Sequence, residues 1–307
     1  MKNDRTSYPL WQRLYDDLRF ASRRYRTRLA LTNREEAVRL HYQHICKQKL
    51  SLDNPSTLTE WIQWLKLYGD TSAWPELSDK FAVRQYVSDC GFACHLNDLY
   101  AVYDDPSDID WESLPDSFIL KPNNGCHTNI VIKDKQQADR QAVAKKLRMA
   151  MSEPFGLTTA EFHYLGIKPK VIVEKLLRQT ENPYGLIDYK LYCIGGKVRS
   201  ILVCEPTQNP KPVKTLLSPD WQVQTDYNPR EVQSEEVLPR PIALQELLDA
   251  AEALAKPFPL VRIDYYIIDN QPIFGEMTFT PAGGYHPYGS ELFLQEMGHL
   301  LSEIIPS

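Results

Sequence analysis

Apolar side chains in the first third of the chain recur every three or four positions, which is the spacing of one face of a helix. Leu10, Leu14 and Leu18 form the first such stripe, and the positions between them and after them are rich in arginine. Thr followed by Glu three residues later marks two further helix starts. The pattern predicts four helices, which begin near Leu10, at Thr32, at Thr57 and at Ser78, the last ending at Gly91.

Short apolar runs bounded by turn residues replace the helical spacing farther along the chain, and such runs predict strands. Gly195-Gly196 separates two of them and is typical of a tight β-hairpin loop. Asp269-Asn270-Gln271 separates two others, which predicts a second hairpin with these three residues as its loop. Helical spacing returns over 136–151, 245–255 and 291–305. The predicted strands are 98–103, 117–121, 130–133, 171–173, 188–194, 197–204, 260–268 and 272–279.

Helices packed on sheets built from hairpins define an α+β fold, and the composition fits a soluble globular protein. Of the 307 residues, 43% are hydrophobic and 24% are charged. No apolar run approaches the roughly 20 residues that a membrane-spanning helix needs, and no apolar segment follows the first charges as in a secretory signal. Six cysteines without a Cys-x-x-Cys pair indicate reduced thiols. We therefore expect a cytoplasmic protein.

Positive charge is concentrated at the start of the chain, in a basic arm over residues 1–50. The arm contains nine Arg and three Lys against three Asp and two Glu, a net charge of +7, whereas the whole chain carries −5. The remainder is acidic, which argues against nucleic acid as a partner because duplex binding depends on clustered cations. Two interpretations of the arm stay open. It docks on the acidic body, or it lies on an anionic membrane or binds an acidic partner.

The last predicted hairpin places two carboxylates opposite each other. Counting back from its loop pairs Asp264 with Glu276, and alternation puts Arg262 and Thr278 on the same face. Like charges opposed in this way destabilise a sheet unless a cation lies between them, and carboxylate oxygens favour hard ions such as Mg²⁺ or, as an alternative, Mn²⁺. A salt bridge to Arg262 on a solvated face explains the same pattern. Spacing alone leaves both interpretations open.

Two shorter segments are candidates for a nucleotide site. Lys121 opens the turn Pro122-Asn123-Asn124-Gly125, in which small residues let backbone amides approach phosphates while the lysine supplies charge. Glu174-Lys175-Leu176-Leu177 follows a buried strand, and its backbone groups could read the edge of an adenine. Surface turns share both patterns. Neither segment alone therefore distinguishes a nucleotide-binding site from an ordinary surface loop.

Taken together and in this order, these segments resemble the ATP-grasp superfamily, and within it the TupA-like branch, which is named for teichuronopeptide synthesis in bacterial cell-wall glycans. The resemblance runs from about Leu50 to Leu300. The segments that carry it are Asn54-Pro55-Ser56-Thr57 with 61–67, then 79–84, 114–121, Val173-Glu174-Lys175, Asp188-Tyr189-Lys190, Val261-Arg262-Ile263-Asp264 and 274–279.

The resemblance implies an ATP-grasp fold, in which two α+β subdomains clamp ATP. A preceding subdomain and a helical N-terminal region complete the chain. The implied boundaries are 1–75 for the helical region, 76–116 for the preceding subdomain, 117–180 for the subdomain with the phosphate loop and adenine hinge, and 181–307 for the subdomain with the metal and acceptor site.

The resemblance also implies residue roles. Those at the nucleotide are Lys80, Lys121 and Lys190 on the phosphates, Asn123 and Gly125 in a covering loop that ends at Thr128, and Glu174, Lys175 and Leu177 in a hinge against adenine.

Metal binding and catalysis are assigned to the two hairpins. The implied magnesium ligands are Asp264, Glu276 bridging two ions, and Thr278, which departs from the asparagine common at this position. Pairing across Gly195-Gly196 puts Arg199 on one face with Lys190 and Tyr192. The candidate catalytic residues, acting by positioning and charge neutralisation, are Lys190, Arg199 and Arg262.

The implied activity is ATP- and Mg²⁺-dependent ligation of a carboxylate to an amine through an acyl phosphate, with release of ADP and phosphate. The branch suggests a uronic acid of a bacterial surface polysaccharide, or its sugar-nucleotide precursor, as the carboxylate, and an amino acid or simple amine as its partner. It also implies that the basic arm associates peripherally with a membrane or with polysaccharide-synthesis machinery. Two other classes stay open: a kinase that phosphorylates a sugar hydroxyl, and a non-catalytic ATP-binding module.

Overall fold

The structure is a computed structural model that describes residues 9–126, 128–179, 182–224, 238–285 and 290–305. His127, inside the predicted phosphate loop, lies outside the described residues. The α-helices within these ranges are α1 Leu10–Ala21, α2 Arg23–Thr32, α3 Arg34–Cys46, α4 Leu58–Tyr68, α5 Trp74–Ser78, α6 Val83–Asp89, α7 Arg140–Met151, α8 Phe155–Thr158, α9 Leu244–Ala255 and α10 Glu291–Ser302.

The strands form two antiparallel sheets. The first has the order β1-β4-β2-β3 and the second the order β7-β6-β5-β8-β9. Together with the helices they confirm the α+β class. The strands are β1 Leu99–Tyr103, β2 Phe118–Pro122, β3 Ile130–Ile132, β4 Val171–Lys175, β5 Asp188–Ile194, β6 Lys197–Glu205, β7 Val213–Leu217, β8 Leu260–Ile268 and β9 Gln271–Thr278.

The observed helix starts show which of the predicted capping residues begin a helix. Thr57 caps α4 as predicted, since its side chain accepts a hydrogen bond from the Glu60 backbone N–H. The predicted start at Thr32 is wrong, because Asn33 is the cap and Thr32 ends the preceding helix. The predicted helix from Ser78 to Gly91 is interrupted. The Asp79 carboxylate accepts from the Phe81 backbone N–H, and α6 begins only at Val83.

The last hairpin reaches the predicted pairing by a different route. Its loop is Asp269-Asn270, both with left-handed backbone, instead of the three residues predicted, so Ile268 pairs with Gln271 and not with Pro272. A bulge then shifts the register by one residue at Gly275. Asp264 therefore faces Glu276 after all. The predicted loop is wrong, the predicted pair is confirmed, and the bulge reconciles the two.

Three hydrophobic clusters hold the elements in place. The largest packs the second sheet against α4, α9 and α10, and a smaller one packs α7 on the first sheet. The third joins α2 and α3 to Tyr285, near the C-terminal end of the described chain. The N-terminal helices are thus fixed to the segment that follows β9. Within the described ranges, no helix is long and apolar enough to cross a membrane.

Candidate active site

A cavity of about 710 Å³ lies between the two sheets. Its volume falls within the range of sites for small ligands. Side chains of β2 and β4 line one wall, and side chains of β5, β6, β8 and β9 line the other. Side chains of α1, α2 and α3 line one part of it, which we call the remote end and define by Phe20, Arg26, His41, Ile45 and Tyr285.

The face of β8 and β9 carries a paired charge network. Arg262 donates to Asp264 through Nε at 2.6 Å and Nη2 at 2.8 Å, and it reaches Glu276 Oε1 at 3.3 Å. Lys190 Nζ donates to Asp264 Oδ2 at 2.6 Å. The Thr278 hydroxyl donates to Glu276 Oε1 at 3.2 Å. The salt bridge weighed as the alternative to a metal site is therefore present, and its face lines the cavity rather than open surface.

The network keeps buried groups charged. Burial opposes charge on Lys190, but the carboxylates of Asp264 and Asp188 outweigh burial and raise its pKa. Burial likewise opposes charge on Asp264, and Arg262 and Lys190 outweigh it and lower the Asp264 pKa. Asp188 behaves differently: burial, with repulsion from Asp264, raises its pKa to about 6. Asp188 bonds Lys190 at 2.5 Å, a role that the sequence interpretation did not give it.

The donor set fits a Mg²⁺ ion held partly by a nucleotide. Within the described part of the chain no cluster of three or more His, Cys, Asp and Glu side chains could hold a metal. Mg²⁺ is usually bound by one or two carboxylates together with substrate phosphates and water. Asp264 and Glu276, with the Thr278 hydroxyl beside them, match that pattern. Glu276 keeps 37% of its side chain exposed, which leaves it accessible from the cavity.

The opposite wall gathers the predicted phosphate lysines. Lys121 Nζ donates to Glu174 Oε2 at 2.7 Å, and Arg84 Nη1 donates to the other oxygen at 3.0 Å. Lys80 Nζ donates to the Gly125 carbonyl oxygen at 2.5 Å. Lys80, Lys121 and Glu174 all line the cavity. The first sheet and the segment before it therefore bring these residues to one place, opposite the carboxylates of β8 and β9.

Five predicted site residues do not line the cavity, and one of them, Gly125, contacts its wall only through the hydrogen bond from Lys80 to its carbonyl oxygen. Asn123 is fully buried, and its side chain bonds Asp79, the Lys168 carbonyl and the Lys170 N–H. The Lys175 side chain is exposed and pairs with Asp98. Leu177 is half-buried and does not line the cavity. Arg199 does not line it either, because a bulge pairs Tyr192 with Ser200 and removes Arg199 from the predicted register.

The structure also places polar groups on the cavity wall, or directly behind it, that sequence interpretation missed. Glu161 is buried, which raises its pKa, and accepts from Thr280 Oγ1 at 2.5 Å. Lys66 donates to the Gly283 carbonyl at 2.5 Å and lies 4.7 Å from the Tyr285 ring centroid. Burial lowers the Lys66 pKa to about 8. These partners are more than one hundred residues apart in the chain, so no local pattern predicts them.

A family model for TupA-like ATP-grasp proteins matches residues 60–302. The chain therefore belongs to the TupA-like ATP-grasp family, as the sequence segments predicted. This assignment carries the predicted enzyme class, an ATP-dependent, ADP-forming carbon–nitrogen ligase. A search of curated proteins finds no match.

Solved structures with a similar fold are ATP-grasp ligases of low sequence identity. An L-amino acid ligase from Bacillus licheniformis is 14% identical, with a TM-score of 0.50, over 81% of this chain and 57% of that one. D-alanine–D-alanine ligase from Bacillus anthracis, solved with ATP, is also 14% identical, with a TM-score of 0.40, over 76% and 68%. At this identity the likeness confirms the ATP-grasp fold alone.

Proposed function

We propose that the chain joins the carboxylate of a uronic acid to an amine, at the expense of ATP. The observation that carries the proposal is the cavity itself. One wall presents Lys80 and Lys121 for phosphates, and the other presents the network of Lys190, Arg262 and Asp264. A site with cations on both walls fits a reaction in which a phosphoryl group passes between two anions.

The first step follows from these charges. A carboxylate oxygen of the acid attacks the γ-phosphorus of ATP, the bond to the β-phosphate oxygen breaks, and ADP leaves. Lys190 and Arg262 carry positive charge on the wall that carries the predicted metal ligands. They would stabilise the charge on the transferred phosphoryl group. Bound through Asp264 and Glu276, Mg²⁺ would neutralise phosphate charge and orient the nucleotide.

The second step requires less assistance from the protein. The amine nitrogen attacks the carbonyl carbon of the acyl phosphate, the carbon–oxygen bond to phosphate breaks, and phosphate and a proton leave. Because the mixed anhydride is already activated, positioning of the amine is the main requirement. The cavity extends from the charged network to the remote end, which provides room for a second substrate beside the first.

The substrate class rests on the family. The TupA-like branch is named for teichuronopeptide synthesis, which supports a uronic acid of a surface polysaccharide, or its sugar-nucleotide precursor, as the carboxylate. The amine would be an amino acid or a simple amine. We place the reaction in the bacterial cytoplasm, because it needs ATP and because all six cysteines are free thiols.

The basic arm supports a further part of the proposal, peripheral association with an anionic membrane. Arg23 pairs with Glu153 of the body at 2.7 Å, so part of the arm docks on the protein itself. The apolar stripe of α1 is exposed, because four of its side chains are between 55% and 72% accessible to solvent. These are Leu10, Trp11, Leu14 and Leu18.

Phosphate release from ATP and Mg²⁺ tests the proposal in a screen of uronic acids crossed with amino acids and simple amines. We expect turnover only where an acid and an amine are both present. Turnover with a sugar alone, and transfer of phosphate to its hydroxyl, would support a kinase instead. Absence of turnover from every pair, with ATP still bound, would support a binding module.

A further inference from the structure

The remote end of the cavity is built by helices that lie outside the family match. Residues 60–302 match the family model, whereas Arg26 on α2 and His41 on α3 precede it. Phe20 packs edge-to-face on His41 with ring centroids 5.0 Å apart, and His41 stacks on Tyr285 at 6.0 Å. The remote end is therefore a packed wall, held against the segment after β9, and not a chance approach of a loose arm.

Two buried polar atoms of this wall make no hydrogen bond to the described residues: Nε of Arg26 and Nε2 of His41. His41 is only 3% exposed. Arg26 is held in place on its other side, because Nη1 donates to the Phe20 carbonyl oxygen and Cζ lies 4.8 Å from the Phe20 ring centroid. Unsatisfied buried polar atoms are uncommon in folded proteins and call for a physical explanation. A ligand group that accepts hydrogen bonds would supply one.

The charge of the remote end limits which ligand fits. Burial lowers the His41 pKa to about 3, so its ring is neutral at pH 7. The Lys66 ammonium bonds the Gly283 carbonyl and the Gln63 side chain, with buried Glu161 as the nearby countercharge. Among the side chains that the structure describes, Arg26 is the cation of this wall for which no carboxylate partner is found. One such cation matches a group with a single negative charge rather than a phosphate with two.

Apolar groups lie near Arg26 in the cavity. Phe20 and Ile45 line the same end, and Ala282, three residues before Tyr285, lines the cavity with a left-handed backbone (φ 53°). A non-glycine residue is uncommon in this conformation, and strained residues of this kind cluster at functional sites. The wall therefore combines one cation, one neutral hydrogen-bonding ring and a small apolar surface.

We propose that the remote end binds the α-carboxylate of an amino acid, so that the amine substrate is an amino acid rather than a simple amine. Arg26 contacts the carboxylate, and the neutral His41 ring donates to it from Nε2. Phe20 and Ile45 contact the amino-acid side chain. The carboxylate is bound and does not react, and the amino group extends toward the charged network. The inference rests on the proposed ligase function, whose amine it identifies.

Binding of amino acids to the full-length protein tests this directly. Saturation-transfer NMR with the twenty common L-amino acids, in the presence of Mg²⁺ and ADP, is compared with the corresponding amino-acid amides, which lack the charge. We expect at least one amino acid to bind and its amide to bind about tenfold or more weakly, since a hydrogen bond to a charged group contributes about 1.5–3 kcal/mol.

Arg26→Gln should weaken the binding of that amino acid by a similar factor, and His41→Phe should also weaken its binding. Arg28→Gln is the matched control, an exposed arginine on the same helix, and should leave binding unchanged. Unchanged ADP affinity shows that each variant is folded. No amino acid binding to the wild type, equal binding of acid and amide, or unchanged binding to Arg26→Gln would each overturn the inference.

The outcomes separate this inference from the proposed function. Amino-acid binding that depends on Arg26, without phosphate release from any substrate pair, would support the subsite and contradict the ligase. Phosphate release with simple amines as efficient as with amino acids, and an amine KM unchanged in Arg26→Gln, would support the ligase and contradict the subsite.

Discussion

Buried polar groups are charged at one end of the cavity and neutral at the other. At the charged network of β5, β8 and β9, Asp264 is buried and Lys190 and Arg262 are half-buried, and all three stay charged because each has an oppositely charged partner within 3 Å. At the remote end, His41 is buried and stays neutral, and its Nε2 has no partner in the described chain. The difference indicates that the first end suits a polyanion with its metal ion, and that the second suits one singly charged group among apolar contacts.

The largest expected effect is at the charged end. Glu276→Gln removes the more exposed of the two carboxylates among the predicted metal ligands while keeping its shape, and we expect ATP turnover to fall about 100-fold or more. The increase in melting temperature caused by Mg²⁺ with ATP should fall as well. Glu252→Gln is the control, since Glu252 pairs with Lys197 at the surface. A full response of Glu276→Gln to Mg²⁺ and ATP would make the Asp264–Glu276 pair structural.

The next effect concerns the phosphate lysines. Lys80→Met and Lys121→Met should each weaken ATP binding about tenfold, because each removes a cation from the cavity wall. Lys175→Met is the matched control, since Lys175 neighbours Glu174 in sequence but points away and pairs with Asp98. Calorimetric titration with a non-hydrolysable ATP analogue measures all three. Equal affinity in the two test variants and the control would remove both lysines from the nucleotide site.

A smaller effect, on stability, distinguishes the neutral end. His41 has a folded pKa of about 3, well below its unfolded value near 6.5, so the unfolded state binds more protons between these values. Its contribution to stability is complete above pH 6.5 and is lost as the pH falls toward 3, by about 1.4 kcal/mol per pH unit. His41→Gln should therefore flatten the fall of the unfolding free energy between pH 6.5 and 4.5.

Denaturant unfolding across this pH range measures that slope. His299→Gln, at an exposed position of α10, is the control and should leave the slope unchanged. The contribution of Asp188, whose raised pKa acts in the opposite direction, is common to both proteins and cancels in the comparison. Parallel curves for His41→Gln and the wild type would show that His41 is not held neutral by the fold.

The smallest expected effect is at the membrane. Leu14→Asp with Leu18→Asp should reduce co-sedimentation with anionic vesicles, because both side chains belong to the exposed stripe of α1. Leu31→Asp, equally exposed on α2, is the control and should pellet like the wild type. Wild-type protein that stays in solution at low and moderate salt would leave the arm only its docking on the body.

The two ends also differ in how far they could be predicted. The pair Asp264–Glu276 follows from strand alternation and survived an error in the loop, because the bulge at Gly275 restored the register. Arg199 follows from the same kind of counting and was misplaced, because the bulge in its own hairpin was not visible in the sequence. Alternation predicts a face well, and it fails wherever an extra residue enters a strand.

The remote end left no such pattern. Arg26, His41 and Tyr285 meet only through tertiary packing, and an arginine or histidine on an amphipathic helix looks like ordinary surface in the sequence. The same holds for Lys66, which contacts a carbonyl 217 positions away. Local propensity carries no information about such contacts, so the remote end could be identified only from the structure.

The most direct test of the ligase is the mass of the product. The protein is incubated with ATP, Mg²⁺, a uronic acid and an amino acid, and the acceptor is analysed by mass spectrometry together with the nucleotides. Our account predicts an amide whose mass is that of acid plus amine less water, with equimolar ADP and phosphate and no AMP. An acceptor that gains one phosphoryl group without requiring any amine would contradict it and identify a kinase.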